Sequence, residues 1–491
     1  MNYRMIVRML SITLRIVALL MLPALVIAMC CHENAAVLAF AVTILLMLFI
    51  SLATNIFKPQ KTTFYAREGF VITALVWIVL SAVGALPFYL SGSIKSYVDC
   101  LFETISGFTT TGASILSEVE SLPYSILYWR SFTHWVGGMG VLVFLLAVST
   151  YAGGKGDSMF IMRAESPGPQ VSKLVPRTMQ TARILYLIYT GMTVLEIILL
   201  LLGGMPIFDA VTLSFGTAGT GGFAVKNDSI MSYSPYLQWV ITVFMILFGV
   251  NFSLYYLILL RSFGRVWRDE ELRFYLSVIL VSVIIITLCV LPSLNGNVSD
   301  SVRHAAFQVA SIMTTTGYCT LDYEIWPQLC HVLLMTLMVI GACAGSTGGG
   351  VKCSRILMLF KSLRVETQRL LHPNMIRPVK MDGKAVPDST IRTLYAYFGV
   401  YCMIALSTVL LLSLEGFTFE TSVSATLACL NNIGPGFNVV GPAANYGSFS
   451  VFSKLLLSFN MLAGRLEIFP ILLLFAPGIW TRAPKQKTHT F

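Results

Sequence analysis

Four short stretches decide how this sequence is read: Thr109-Thr110-Thr111-Gly112-Ala113, Thr217-Ala218-Gly219-Thr220-Gly221-Gly222-Phe223, Thr314-Thr315-Thr316-Gly317-Tyr318 and Asn431-Asn432-Ile433-Gly434-Pro435-Gly436-Phe437. Each follows a moderately apolar segment too short to cross a bilayer, at 98–108, 207–216, 301–313 and 418–430. Each also lies between two longer apolar runs. Aligning the glycine that precedes Ala, Phe, Tyr and Phe makes Gly112, Gly222, Gly317 and Gly436 equivalent. The repeated unit reads helix, half-helix, glycine-rich strand, helix. A single glycine-rich turn is ordinary in a membrane loop; four at matching positions form a constellation.

The chain around them is strongly apolar. Its 491 residues are 56% hydrophobic and only 11% charged, against roughly 25% charged in a soluble domain. No water-soluble chain of this length hides that much apolar surface, which excludes a soluble enzyme, a nucleic-acid binder and a disordered protein. Apolar runs suited to spanning a bilayer fall at 9–31, 35–57, 69–91, 125–151, 184–204, 236–260, 274–292, 327–345, 393–414 and 450–477. The first follows Arg4 and Arg8 like a signal peptide, but no cleavage site closes it, and it reads as a retained helix.

Charge gives the orientation. The alternate loops 32–34, 92–124, 205–235, 293–326 and 415–449 hold three basic residues (Lys95, Lys226 and Arg303) against twelve acidic ones. The other loops and both termini hold 26 of the 33 Lys and Arg. The positive-inside rule therefore puts both termini in the cytoplasm, and the net charge of +10 needs no nucleic-acid partner. The predicted fold is an all-α polytopic membrane protein with two N-terminal helices (1–60) and four units at 61–155, 156–265, 266–372 and 373–491, around one pore.

Half-spans that return to the same side must be buried in protein and line a wet cavity, because unpaired backbone amides and carbonyls cannot face lipid. Their C-terminal ends carry partial negative charge, which favours a cation and repels an anion on the axis they surround. The strand after each half-helix offers carbonyl oxygens to replace ion hydration. Glycine permits the backbone angles that aim them at one centre. Outer-loop acids (Asp99, Glu103, Glu118, Glu120, Asp209 and Asp228) would concentrate cations at the mouth.

Other residues stand out. Gly341–Lys352 (GACAGSTGGGVK) breaks the second helix of the third unit within 341–352. Gly345, Ser346, Thr347, Gly348, Gly349 and Gly350 cannot sustain a helix, at ~1 kcal/mol per Gly; they suit a mobile plug, or a plain linker to the basic stretch that follows. Val351 separates Gly350 from Lys352 and no βαβ context exists, so this is not a nucleotide-binding loop. Arg465 lies mid-span in the last run, where a charge costs ~2.5–3.5 kcal/mol on insertion scales; it needs a wet cavity or a polar partner, and Glu467 is a weak candidate. Glu196 reads as a structural hydrogen-bonding group and His134 as interfacial packing. The ten cysteines show neither metal-ligand spacing nor a disulfide framework.

With these residues on the page, the sequence resembles the Trk/Ktr/HKT superfamily of potassium transporters, most closely the bacterial TrkH/TrkG-type translocating subunit. The resemblance covers essentially the whole chain. It implies a potassium filter at Thr110-Thr111-Gly112, Thr220-Gly221-Gly222, Thr315-Thr316-Gly317 and Gly434-Pro435-Gly436, with Ile433 marking a fourth loop that departs from the pattern. It implies that the 345–350 loop with Lys352 is the gate, and that Arg465 lies below the filter as an electrostatic barrier. It also implies potassium as the transported ion, the bacterial inner membrane as location, a homodimer within membrane lipid, and a cytosolic nucleotide-binding regulatory subunit. The basic segment 352–392 would offer that subunit a docking surface.

Two other classes compete. A secondary transporter with a midplane site needs paired broken helices in two halves and ionisable coupling residues within spans, whereas this sequence has four equivalent breaks and few intramembrane carboxylates. An intramembrane enzyme would need a motif such as HExxH or GxSxG, and the chain has neither.

Overall fold

Each apolar run nucleates helix, and the breaks between helices follow Pro, Gly and Asn. The computed structural model describes residues 3–54, 66–138, 140, 178–375 and 377–480. The second half of the run 125–151, and the boundary drawn at 155, lie outside the described residues.

Two N-terminal hairpin arms lead the chain: α1 (Tyr3–Leu20) with α2 (Leu22–Cys30), separated just before Pro23, and α3 (Asn34–Thr54). The first unit has α4 (Ala66–Gly84) and α5 (Leu86–Leu90), a short α6 (Tyr97–Phe108), and α7 (Tyr124–Gly138). In the second unit, α8 (Thr178–Leu202) leads to a short α9 (Ile207–Gly219), then α10 (Pro235–Phe248), α11 (Phe252–Leu259) and the connector α12 (Phe263–Arg268). The third has α13 (Glu270–Val290), α14 (Val298–Met313), α15 (Gln328–Ile340) and α16 (Cys353–Leu371). A small hairpin, β1 (Lys380–Met381) against β2 (Lys384–Ala385), precedes the fourth unit. That unit has α17 (Asp388–Ser413), α18 (Phe419–Leu430), α19 (Val451–Arg465), α20 (Phe469–Leu474) and α21 (Pro477–Trp480). The fold is all-α, with four helix, half-helix, helix units in pseudo-fourfold array.

The half-helices α6, α9, α14 and α18 are 12, 13, 16 and 12 residues long. At 1.5 Å per residue that is roughly 18–24 Å, too short for a ~30 Å hydrocarbon core. Their Ser, Thr and Gln residues are buried: Ser106, Thr212, Ser214, Gln308, Ser311, Ser424 and Thr426 are each at most 1% exposed. Protein, not lipid, surrounds them.

Among the described residues, six helical stretches are long and apolar enough to cross a membrane, and a seventh if Pro235–Phe248 and Phe252–Leu259 count as one span bent by 93°. The remaining expected spans are all second helices of units, and here the structure corrects the sequence reading. The break is not confined to the third unit. The second unit breaks at Gly249-Val250-Asn251, where the Asn251 side chain caps α11 by accepting from Ser253 N at 2.9 Å. The fourth breaks at Leu466-Glu467-Ile468, with positive φ at Glu467 (53°) and Ile468 (69°). Hydropathy hides both, because the residues at the breaks are themselves mostly apolar.

Candidate functional site

The four half-helices end alike. The residue after the last turn turns left-handed: Thr110 (φ 55°), Thr220 (56°), Thr315 (61°) and Asn432 (56°). The next amide reaches back to the helix, Thr111 N to Ser106 O and Gly221 N to Gly216 O at 2.8 and 2.9 Å, Thr316 N to Ser311 O and Ile433 N to Ala428 O at 2.8 Å each. This is the Schellman end, which usually carries Gly at the left-handed position. Threonine there costs roughly 1–3 kcal/mol. Its hydroxyl gains a local acceptor in return: Thr110, Thr220 and Thr315 donate to the preceding carbonyl at 2.7, 2.6 and 2.6 Å.

Two residues further on, the chains meet. Gly112, Gly222, Gly317 and Gly434 all have positive φ, from 73° to 97°. A Cβ on Gly112 would fall 1.9 Å from the Gly221 carbonyl oxygen, and one on Gly222 2.1 Å from that of Thr316. One on Gly317 would fall 2.2 Å from the Ile433 oxygen, and one on Gly434 2.6 Å from the Thr111 oxygen. The cycle closes: loop one meets two, two meets three, three meets four, and four meets one. The carbonyls of Thr111, Gly221, Thr316 and Ile433 are thereby brought to one ring.

This geometry corrects the alignment of the fourth loop. Gly434, not Gly436, stands with Gly112, Gly222 and Gly317, and Asn432-Ile433-Gly434 corresponds to Thr110-Thr111-Gly112. Pro435 follows the ring in the place of Ala113. Gly436 lies outside it, beside Ser424 and Val440, and its carbonyl accepts from the Tyr323 hydroxyl at 2.9 Å. Asn432 was missed because the alignment was anchored on the aromatic after the glycine. The end of the half-helix at Leu430 is the better anchor, and Asn tolerates the left-handed position. Its amide donates to Thr111 Oγ1 at 3.0 Å, joining loops four and one.

Side chains brace the other junctions. Tyr318 OH donates to Leu213 O at 3.0 Å, between loops three and two. Tyr446 OH donates to Gly434 O and Tyr446 N to Ser114 O, both at 2.8 Å. Between loops one and two the brace is ionic. Arg130 Nε donates to Glu103 at 2.7 Å and Nη1 to Ala224 O at 3.0 Å, with the guanidinium 3.7 Å from the Phe223 ring centre. Glu103 also accepts from Ser114 Oγ and Ile115 N, both at 3.0 Å. His134 is not interfacial packing but fully buried: it accepts from Phe223 N on Nε2 at 3.2 Å and lies 2.8 Å from Gly107 O through Nδ1. Only the neutral ring with a proton on Nδ1 makes both bonds.

An open cavity of about 170 Å³ lies outside the ring, lined by Gly112, Gly222, Gly317 and Gly434 together with Lys226, Asn227 and Asn445. The acidic mouth needs revision. Glu103 is 1% exposed and paired with Arg130, Asp99 pairs with Lys454 at 2.7 Å, Asp209 accepts from Tyr233 OH at 2.8 Å and Glu120 from Asn227 N at 3.1 Å. These carboxylates are held in structure; of the six, Glu118 and Glu120 keep the exposed position expected of all, and Glu120 is already bonded to the Asn227 amide.

On the other side of the ring lies the break in the third unit. Gly345, Ser346, Thr347, Gly348, Gly349 and Gly350 form a non-helical loop between α15 and α16. It bonds to the second, third and fourth units directly and reaches the first through Arg465. Gly349 N donates to Thr315 Oγ1 at 2.6 Å and Gly350 N to Asn431 O at 3.0 Å, so the loop packs against the inner ends of loops three and four. Phe252 N donates to Gly345 O at 3.0 Å, joining the second unit's break. Arg465 donates to Thr347 O and to Gly137 O, both at 2.8 Å, joining the fourth unit and the first. Lys352, itself at positive φ (83°), turns back onto Gly348 O. Glu467 does not serve Arg465; it pairs with Arg355 at the start of α16. Glu196 is fully buried, with the Thr217 hydroxyl as the side-chain partner closest to its carboxylate. All ten cysteines are free.

Set beside known proteins, residues 37–481 match a family model described as TrkH, a cation transport protein. The chain belongs to the TrkH family. The Trk system potassium uptake protein TrkH of Salmonella typhimurium is 39% identical over 428 residues, 86% of this chain and 88% of that one. TrkG of Escherichia coli is 33% identical over 98% of this chain and 99% of its own length. The crystal structure of the potassium transporter TrkH from Vibrio parahaemolyticus superposes with a TM-score of 0.87 at 32% identity, covering 98% of this chain and 100% of that one. TrkH-family membership agrees with the multi-pass helical architecture and the four-unit repeat.

Proposed function

We propose that this protein takes up potassium across the bacterial inner membrane, both termini cytoplasmic, through the ring formed by its four loops. The closed cycle of glycine-to-carbonyl contacts carries the reading, because it gathers backbone oxygens from four chemically different loops at one level. The filter is then Thr110-Thr111-Gly112, Thr220-Gly221-Gly222, Thr315-Thr316-Gly317 and Asn432-Ile433-Gly434. Carbonyl oxygens replace the ion's water, and the half-helix C-termini supply negative potential. The relatives named as potassium uptake proteins support potassium over sodium.

The loop 345–350, with Lys352 and Arg465, is the gate. Its bonds to units two, three and four, and the bridge that Arg465 makes from it to the first unit, hold the pathway shut in this conformation, and the Arg465 guanidinium repels cations beneath the ring. The four units run 61–155, 156–265, 266–372 and 373–491. The naming of the relatives as Trk-system proteins supports a multi-component assembly; our reading of it is a homodimer in lipid, opened by a cytosolic nucleotide-binding subunit that docks on the basic segment 352–392. The test is a flux assay on purified protein in liposomes, with potassium, sodium and proton gradients imposed separately. Potassium-selective flux that Gly112→Ser and Gly222→Ser make less selective is expected. Selectivity unmoved in both variants overturns the filter.

A further inference from the structure

The gate loop has two ends, and one side chain holds both. Glu271, in the first turn of α13 and 8% exposed, accepts from Ala344 N at 2.7 Å and from Ser354 N at 2.9 Å, both on the same carboxylate oxygen. Ala344 is the last residue before Gly345; Ser354 lies in the first turn of α16, just past Lys352. Neither amide has an intrahelical partner, Ala344 because it is outside a helix and Ser354 because the first amides of any helix lack one. A carboxylate at this place also complements the positive end of α16.

The neighbouring residues carry the tie to the cytoplasmic side. Glu270 pairs with Lys361 of α16 and accepts from Asp382 N, in the β1–β2 hairpin, at 3.0 Å. Glu270 N donates back to Asp382 Oδ1 at 3.0 Å, and Lys361 also donates to Lys380 O at 2.9 Å. Asp269 caps α13 through Leu272 N at 2.8 Å. Three consecutive carboxylates thus fix their own helix, the cytoplasmic hairpin and the gate loop.

We propose that Glu271 is the positioning residue of the gate: its carboxylate latches both ends of the 345–350 loop, and the loop leaves its seat only when those two bonds are given up. The inference rests on the reading of that loop as the gate. The latch sits one residue from the ion pair that grips the cytoplasmic hairpin, so a pull on the hairpin is delivered to the latch through the first turn of α13.

The experiment compares native protein, Glu271→Gln and Glu271→Ala in liposomes without any regulatory subunit, reading potassium flux, the potassium-to-sodium permeability ratio, and hydrogen exchange in peptides spanning 344–354. Glutamine keeps an acceptor oxygen; alanine does not. The expected result is a flux at least tenfold above native for Glu271→Ala, with Glu271→Gln between the two. The permeability ratio stays unchanged, and exchange is faster at Ala344 and Ser354. Flux within twofold of native in Glu271→Ala, or a fall in flux, overturns the latch. If the alanine variant does not reach the membrane, Glu271→Asp, which withdraws the carboxylate by one methylene, is read by the same criteria. Shortening 345–350 is the control: a rise in flux there without one in Glu271→Ala removes the latch alone, and no rise there removes the gate reading itself.

Discussion

At the residue scale, the ring discriminates between two glycines two positions apart. Gly434 has φ of 97° and no room for a Cβ beside the Thr111 carbonyl, whereas a Cβ on Gly436, whose φ is not positive, crowds Val440 and Ser424 and none of the ring carbonyls. Gly434→Ala should therefore lower the potassium-to-sodium permeability ratio as strongly as Gly112→Ala, and Gly436→Ala by much less; reversal-potential measurements on the three variants check the register. The Glu103–Arg130 pair makes a second residue-level prediction. Both side chains are buried, with 0% and 4% exposure, and removing one partner leaves the other charge unpaired at a cost of about 3–5 kcal/mol. Thermal unfolding in detergent should show Glu103→Leu and Arg130→Met each strongly destabilised, and the double variant less so than their sum.

At the element scale, the second helices are the broken parts. Those of units two, three and four break at one level, around the 345–350 loop, and first helices such as α8, α13 and α17 run unbroken through 25, 21 and 26 residues. A gate made from one of these breaks is held by few bonds, each of net worth about 0.5–1.5 kcal/mol, more where a charged group donates. Arg465→Ala deletes the bonds to Thr347 and Gly137 together. Potassium flux should rise severalfold in that variant and again when the loop is shortened by two residues, measured in liposomes at equal protein insertion. The hydropathy of the sequence located all of these helices but not two of the three breaks. Pro, Gly and charge are local signals, whereas the bend after Phe248 is stabilised by a bond from Phe252 N to Gly345 O, nearly a hundred residues away.

At the scale of the whole molecule, the first helices, the repeat number and three of the four ring glycines are legible, because bilayer thickness and glycine's backbone freedom impose them locally. The braces were not. Glu103 reads as an outer-loop acid until Arg130 is placed beside it, and Asp99 until Lys454 is, a contact between residues 355 positions apart. The outer face thus spends most of its carboxylates on structure. Its steering of cations should be weak: uptake rate at potassium well below saturation should change by less than about twofold on raising ionic strength from a Debye length near 10 Å to one near 3 Å, and Glu118→Gln should have no larger effect.

The cycle of glycine contacts has a direction. Loop one presses on loop two, two on three, three on four and four on one, because in every case the glycine of one loop faces the oxygen of the next loop around the ring. Bulk added at one glycine is therefore passed clockwise or anticlockwise only, in the sense the chain itself sets, and the upstream neighbour is spared. Since the four loops are spelled differently in one polypeptide, each site can be altered once rather than four times over, and the ring of carbonyls can be rendered lopsided on a chosen side.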